Sequence, residues 1–575
     1  MRSSGTDNKF RLKEMTPADV FLPGVLVLFS FIHFNLGADY TDIGYNLANY
    51  ANFPDVNPTW LISTVLSVIT GKFFSLLPGG RYMLGMNIYC TLFFALFILA
   101  VFFCMRKVFP APAVFLGELA AISFSWCPKT ILYHYMTYFL FTIAALILVY
   151  ALVKEKKSLL LVAGGVLALN SFVRFPNVTE CALIVVVFFY GIIGKRHIIK
   201  EFLCCIAGFA VVFLAGFGLV ELAWGKGAYV GMINGLFGMT DEAESYTPVQ
   251  MVLKELTDYK QYLPYFLIMA LVVFTAMLVY NRFKQKAVHT AVYIVTGICF
   301  VFIPVLMRYR NDFNFDYSQY ASVFAWGALF LCLCASLFAY AVLSPKFELP
   351  VRLLSMAGLV IIFITPLGSN NGLYTAFNNM YLIAPLCMGI LFKGPLKDNP
   401  KLAMLRFGAS VFSAFVLVQS FIFGTLFVFH SPLMFSDSYK SFTANERLKG
   451  MRADAGTVEE IEALTGFVEA NGADWNEAMF YDDIPMLSYC LDIKSSLSHS
   501  WPALLSYPTE EFKAELDSMD EAPVVFYSAT HGDFLEDGEY ETIKDEAFAE
   551  FLKDNSYSEI YRDERVVICL PQSMN

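Results

Sequence analysis

Residues 37–81 read GADYTDIGYNLANYANFPDVNPTWLISTVLSVITGKFFSLLPGGR, and the way this stretch is threaded fixes the sidedness of every loop after it. From Trp60 to Leu77 it is apolar and long enough to cross a bilayer, which takes about twenty mostly apolar residues. It ends, however, in Pro78-Gly79-Gly80 with no basic cluster. If it crossed, every later loop would change sides and the Lys/Arg clusters that mark cytoplasmic loops would face outward. The run is therefore predicted to lie on the membrane as a surface helix. Ahead of it Ile43, Leu47 and Tyr50 recur at i, i+4 and i+7, the apolar stripe of a shorter surface helix, with Pro54 and Pro58 between the two.

Upstream, Arg2, Lys9, Arg11 and Lys13 precede an apolar run from about Val20 to Leu36 that lacks a small-residue cleavage site. A retained first span entering from the cytoplasm is expected. Downstream, Met83 to Cys104 ends in Arg106-Lys107, which brings the chain back inside and leaves 37–81 external. Runs near 110–127 and 135–153 close on Lys154-Glu155-Lys156-Lys157, and runs near 158–173 and 178–194 close on Lys195-Arg196-His197. Runs near 201–222, 263–281, 288–306, 318–343, 353–367, 379–392 and 404–429 bring the predicted total to thirteen spans. Arg282, Lys284 and Lys286, then Lys346 and Arg352, fall on the inner side. The odd count divides the chain into a membrane domain, 1–430, with a cytoplasmic N-terminus, and an extracytoplasmic domain, 431–575.

Composition agrees with that division. Hydrophobic residues are 57% of the 575 and charged ones 16%, against roughly a quarter charged in an ordinary globular chain. Residues 431–575 hold 30 of the 50 acids and only 10 of the 40 Lys+Arg, so the tail carries −20 and the remainder +10. The split points to two environments on one chain and not to a nucleic-acid partner. The twelve cysteines lie mostly inside apolar runs, without CxxC spacing or nearby histidines, and read as small buried hydrophobes. Cys490 and Cys569 are the two in the tail, and spacing leaves a disulfide between them undecided. The tail alternates apolar runs (478–491, 522–529, 558–571) with charged segments of helical spacing such as 508–520, which predicts a small α/β domain. No G-x-G-x-x-G opens its helices, and His531-Gly532-Asp533 reads as a turn.

Asp39 and Asp42 stand where the first span emerges, three residues apart and on one face if helical. A carboxylate in a partly dry cavity is basic enough to take a proton from a hydroxyl, although acids marking the water interface have the same spacing. The order of basic tail, first span, acids, surface helix, Asn-Pro segment, second surface helix and a span opening on GRYMLGMN resembles the GT-C glycosyltransferase superfamily. Members of that superfamily move a sugar from a polyprenyl-phosphate or related lipid donor to an acceptor at the outer membrane face. The family's D-E or D-x-G-x-x-L-like motif corresponds to Asp42-Ile43-Gly44, with Ile43 where many members carry a second acid. Its proline- or aromatic-marked second helix corresponds to Asn57-Pro58-Thr59-Trp60, and its R-x-L-like span start to Arg81-Tyr82-Met83-Leu84.

The resemblance implies a polytopic α-helical GT-C-like membrane protein in the plasma membrane with an external α/β domain. It implies a lipid-linked sugar donor, a glycan, lipid or protein acceptor in the envelope, and an inverting transfer of a hexosyl or pentosyl group with Asp42 as base and Asp39 as alternate. Substrate-binding residues on this reading are Arg174, in the turn NSFVRFPN; the pair Arg308 and Arg310, in RYRNDFNFDY (308–317); His134, in YHYMTYF (133–139); and Tyr45. Arg174 or the arginine pair would hold the donor phosphate. His134 with Asp42 is the candidate pair for orienting the acceptor or ligating a divalent cation; no other cofactor is implied. The external stretch 227–264, with two amphipathic segments, is expected to act as a lid, and Glu118 is a buried acid that needs a partner. A transporter or flippase of lipid-linked sugars, and a non-catalytic envelope protein, are the alternatives from other classes.

Overall fold

A computed structural model describes residues 16–242, 247–307, 315–504, 507–530 and 542–574. The basic N-terminal residues, Arg308 and Arg310, and His531-Gly532-Asp533 lie outside the described residues.

Among the described residues eight helices are long and apolar enough to cross a membrane, Met83–Met105, Leu132–Lys154 and Ile199–Trp224 among them. Helices also occupy the remaining predicted spans but are shorter: Ala18–Ser30, Ala111–Phe124, Lys157–Val173, Leu349–Ile364 and Ile383–Phe392. The chain is thus a multi-pass helical membrane protein. The first of these stops six residues before the predicted end at Leu36. His33 takes a left-handed φ of 69° there, and its Nε2 lies 2.8 Å from the Thr425 carbonyl oxygen in the last long helix. In the bundle interior Gly117 rests on the Pro385 backbone, where a Cβ would come within 2.3 Å. Neighbouring Glu118 is fully buried, and neither of its carboxyl oxygens finds a hydrogen-bond partner among the described residues.

Two helices differ from the sequence expectation. The second surface helix is broken at Thr64 (φ −128°) into Pro58–Ser63 and Val65–Ser75. Its cause is local: the Ser63 and Thr64 hydroxyls both donate to the Trp60 carbonyl oxygen at 2.9 Å, competing with the helical ladder. Neither half is long enough to cross. Among the described residues the stretch 227–264 holds one separate helix, Ala228–Glu242, but its second amphipathic segment is continuous with the following span as Pro248–Arg282. Thr247 caps that helix through its hydroxyl oxygen, which accepts from the Gln250 N–H, and Pro248 supplies a preset φ at the first position. Pro264 then lies inside the helix and the chain continues through it.

After the last span a hairpin pairs β1 (Tyr439–Ser441) antiparallel with β2 (Arg452–Asp454). A five-stranded sheet follows, built from β3 (Glu477–Tyr481), β4 (Lys494–Ser495), β5 (Val524–Ser528), β6 (Ser558–Arg562) and β7 (Val566–Leu570) in the order β4-β3-β5-β7-β6. β3 pairs parallel with β4 and β5, whereas β7 pairs antiparallel with β5 and β6. The apolar run 478–491 divides between β3 and a short helix, Met486–Cys490. Cys490 and Cys569 are separate buried thiols, so no disulfide joins them.

This sheet domain is welded to the loop that follows the first span. Leu36 and Arg452 form a parallel bridge, with Gly37 N–H donating to the Arg452 carbonyl and Arg452 N–H to the Asn35 carbonyl, each at 2.9 Å. Met486 N–H donates to the Tyr40 carbonyl at 3.0 Å, and Asn57 N–H to the Ser498 carbonyl at 2.8 Å. The Arg565 guanidinium lies 4.6 Å above the Tyr40 ring.

Candidate functional site

The first surface helix, Asp42–Asn52, buries Ile43, Leu47 and Tyr50 as the stripe requires. Its two acids have different surroundings. Asp39 is 4% exposed and both its carboxylate oxygens are engaged: it accepts from the Thr41 hydroxyl and the Ile43 N–H at 2.9 Å, and His430 Nδ1 lies 2.9 Å from its Oδ1. It therefore caps the helix and clamps the residue that leads from the last span into the tail. Asp42, the first residue of the helix, is half-buried, and its carboxylate accepts no hydrogen bond from any described residue. Burial pushes its pKa up to about 6, with the Asp39 and Asp483 charges adding to the rise and His430 opposing it. The hydrogen bond to Asp39 in turn raises the His430 pKa above its ordinary value.

Two further sequence candidates, Arg174 and His134, gather around Tyr133. Tyr133, half-buried at the start of the helix Leu132–Lys154, lies within electrostatic reach of both Asp42 and Arg174. The Arg174 guanidinium sits 5.6 Å over the Tyr133 ring and donates to the Gly368 carbonyl. Its turn is held from beneath: Asn177 Nδ2 donates to the Thr137 hydroxyl at 2.7 Å and Asn170 Nδ2 to Glu180 at 2.5 Å. His134 turns towards this group, its ring stacked on Tyr138 and its Nδ1 3.0 Å from the Tyr138 hydroxyl. Among the described residues no three His, Cys, Asp or Glu side chains converge as a metal site.

Tyr45, one turn beyond Asp42, meets residues that sequence reasoning missed. Its ring stacks on His499 of the tail at 5.4 Å and faces Trp501 at 6.2 Å. His499 is 1% exposed, packed also on Trp60 and Tyr507, and burial pushes its pKa down to about 3. Its Nδ1 accepts the Trp501 N–H at 3.1 Å, so the neutral ring carries its proton on Nε2, 3.5 Å from the Tyr45 hydroxyl. Trp501 Nε1 donates to Asp483 at 3.1 Å. A narrow cavity of about 100 Å³ touches Ile43 and is lined by His33, Asn87 and Lys129 as well. Burial pulls the Lys129 pKa down to about 8. Nothing in the local sequence around Asp483, His499, Trp501 or Lys129 marks them, because their importance comes from contacts with segments far away in the chain.

No protein-family model matches the chain, and no curated protein sequence matches it. Among solved structures it is similar to ArnT from Cupriavidus metallidurans bound to undecaprenyl phosphate, at 10% identity and a TM-score of 0.38, over 96% of this chain and 97% of that one. It is also similar to the Archaeoglobus fulgidus oligosaccharyltransferase in complex with zinc and sulfate, at 13% identity and a TM-score of 0.47, over 96% and 73%. The arabinosyltransferase EmbB from Mycobacterium smegmatis aligns at 12% identity and a TM-score of 0.32, over 72% and 42%. These neighbours are GT-C membrane glycosyltransferases. The three positions where this sequence resembles the GT-C pattern have distinct local jobs here. Asp42 opens the first surface helix. The Asn57 side chain caps Pro58–Ser63 by accepting from the Thr59 and Trp60 N–H groups while donating to Glu511 at 2.7 Å. Arg81, the third GT-C-like position, pairs with Glu446 at 2.8 Å, and its carbonyl accepts from the Tyr489 hydroxyl at 2.8 Å, so it fastens the tail.

Proposed function

We propose that the protein transfers a sugar from a polyprenyl-phosphate-linked donor to an acceptor hydroxyl, with inversion, at the extracytoplasmic face of the plasma membrane. The observation that carries this reading is the pair of unlike acids: Asp39, held by three hydrogen-bond contacts, fixes the helix, and the Asp42 carboxylate is left partly desolvated, basic and without a hydrogen-bond partner among the described residues. Asp42 takes the acceptor proton as the acceptor oxygen attacks the anomeric carbon. The bond from that carbon to the phosphate oxygen breaks on the opposite side, and the polyprenyl phosphate leaves with the electron pair. Arg174, whose fork matches phosphate oxygens, stabilises that charge, a role worth a few kcal/mol when preorganised (about 3). The Lys/Arg clusters on the far ends of the spans support the sidedness.

The direct test is release of labelled sugar to acceptor by purified protein in liposomes loaded with a polyprenyl-phosphate-sugar. Movement of the lipid across the bilayer with no transfer would establish the flippase reading instead. The pH profile adds a sign. Because the active base is deprotonated and its pKa is raised to about 6, turnover at saturating substrate should fall about tenfold per unit below that pH and level off above it. His430 lowers the Asp42 pKa and Asp483 raises it. His430→Gln should therefore move the acid limb upward and Asp483→Asn downward, each by up to about one unit; shifts of the same sign would contradict the arrangement.

The helix Ala228–Glu242 is the lid in this reading. Tyr229 and Met232 are buried against Ile62, Val65 and Phe172, and Gly235 approaches Thr59 so closely that a Cβ would lie 2.6 Å from its hydroxyl. Replacing 228–242 by a short flexible linker should abolish turnover while gel filtration still reports a folded protein. Undiminished turnover would remove the lid from the mechanism.

A further inference from the structure

The acceptor side of the site shows what kind of molecule it is shaped for. Tyr45 and Trp501 meet at an interplanar angle of 59° with centroids 6.2 Å apart, so their rings form an open, tilted floor and not a closed stack. Both are half-buried. The floor is rigid from below: Tyr45 lies on buried His499, which is wedged by Trp60 and Tyr507. The Trp501 backbone is tied to His499 Nδ1 and its indole N–H to Asp483. At one edge of this floor stands Asp42, three residues before Tyr45 and so on the same helical face, roughly 5–6 Å away at the Cβ atoms. At the other edge stands exposed Asp483, close enough for the two carboxylates to act on each other's charge.

A tilted aromatic floor bounded by carboxylates offers a sugar ring complementary contacts. One face of a pyranose presents C–H groups that settle on aromatic π-clouds, and its equatorial hydroxyls project sideways as donors to acceptor-only groups. An acyl chain lacks the hydroxyl donors of such a ring. We propose that Tyr45, Trp501 and Asp483 form an acceptor subsite for a saccharide, the ring lying on the two aromatics with one hydroxyl on Asp483 and the attacking hydroxyl on Asp42. The subsite is shared between the loop after the first span and the tail, which gives the tail the task of selecting the acceptor. This proposal rests on the transferase reading for the role of the bound sugar, though not for the binding itself.

The test uses full-length protein in lipid nanodiscs, so that no sugar-based detergent competes, with the methyl pyranosides of glucose, galactose, mannose and N-acetylglucosamine as probes. Saturation-transfer NMR is expected to show contact at the ring C–H protons of at least one glycoside. Its Kd should weaken about tenfold or more in Trp501→Ala, the equivalent of 1.4 kcal/mol, recover in part in Trp501→Phe, and stay unchanged in Phe435→Ala, whose ring is 72% exposed elsewhere on the tail. Asp483→Asn, isosteric and on the surface, tests the polar rim even if Trp501→Ala fails to fold, and should weaken binding by a similar factor. No saturation transfer to any of the four, or affinities unchanged in Trp501→Phe and Asp483→Asn, overturns the subsite. The two readings fail separately: glycoside binding without sugar transfer from any lipid donor sinks the transferase, whereas transfer at undiminished rate in both variants sinks the subsite.

Discussion

Asp42→Asn is expected to lower sugar transfer by about a thousandfold while membranes carry folded protein at the wild-type level. Proton removal by a positioned base contributes roughly 10²–10⁴ in rate, and asparagine keeps the shape of the carboxylate without its basicity. The fold has little to lose, since the Asp42 carboxylate accepts no hydrogen bond from a described residue and its ionised form is already disfavoured by burial. Asp39→Asn should behave in the opposite way. It weakens the cap on Ile43 and the clamp on His430, so a loss of about 1–3 kcal/mol in stability is expected, with residual transfer by whatever protein remains folded. Thermal unfolding and initial-rate assays on the two variants separate these effects. If Asp39→Asn were the inactive but stable one, the assignment of the base would have to be exchanged.

The second large effect is expected at Gly44. A Cβ there would lie 2.5 Å from the Met486 backbone nitrogen and α-carbon, and backbone atoms cannot rotate out of the way. Gly44→Ala forces the first surface helix and the helix Met486–Cys490 apart, with a cost of about 1–3 kcal/mol by analogy with overpacked cores. Gly44→Val should cost more. The consequence is specific: the tail loosens from the loop, so limited proteolysis near 430–450 should accelerate and transfer should fall even at substrate saturation. Wild-type protease resistance in Gly44→Val would show that the helices do not pack as described. This contact also accounts for a glycine two residues after Asp42, a position that the motif alone leaves unexplained.

Much of the architecture follows from one-dimensional signals. Hydropathy with Lys/Arg flanks locates the helical segments, and Trp60–Leu77, set apart from the spans by the missing basic cluster after Pro78, holds no unbroken helix. The stripe Ile43, Leu47, Tyr50 locates a helix to within a residue or two. Where the expectation slipped, local chemistry overrode the pattern: hydroxyl-to-carbonyl bonding at Ser63 and Thr64 interrupts a uniform apolar run, and a cap at Thr247 starts a helix that simply runs on through Pro264. The site was legible only in half. Asp39, Asp42, Tyr45 and Arg174 cluster near span ends and can be picked out there. The division of labour between the two acids depends on His430, 391 residues away. Asp483, His499 and Trp501 reach the site from a different domain, and no periodicity encodes such a contact.

The parallel bridge between Leu36 and Arg452 has a consequence in time. The segment bearing the acids leaves the ribosome early, whereas its partner strand emerges about 400 residues later. At about 5–20 residues per second, the nascent loop waits roughly 20–80 s, its capped helix lacking the His430 clamp and its aromatic floor lacking one wall. A chain that ends before residue 499 lacks the His499 and Trp501 rings on which Tyr45 packs. The loop after the first span therefore completes its packing only when nearly the whole chain has been made.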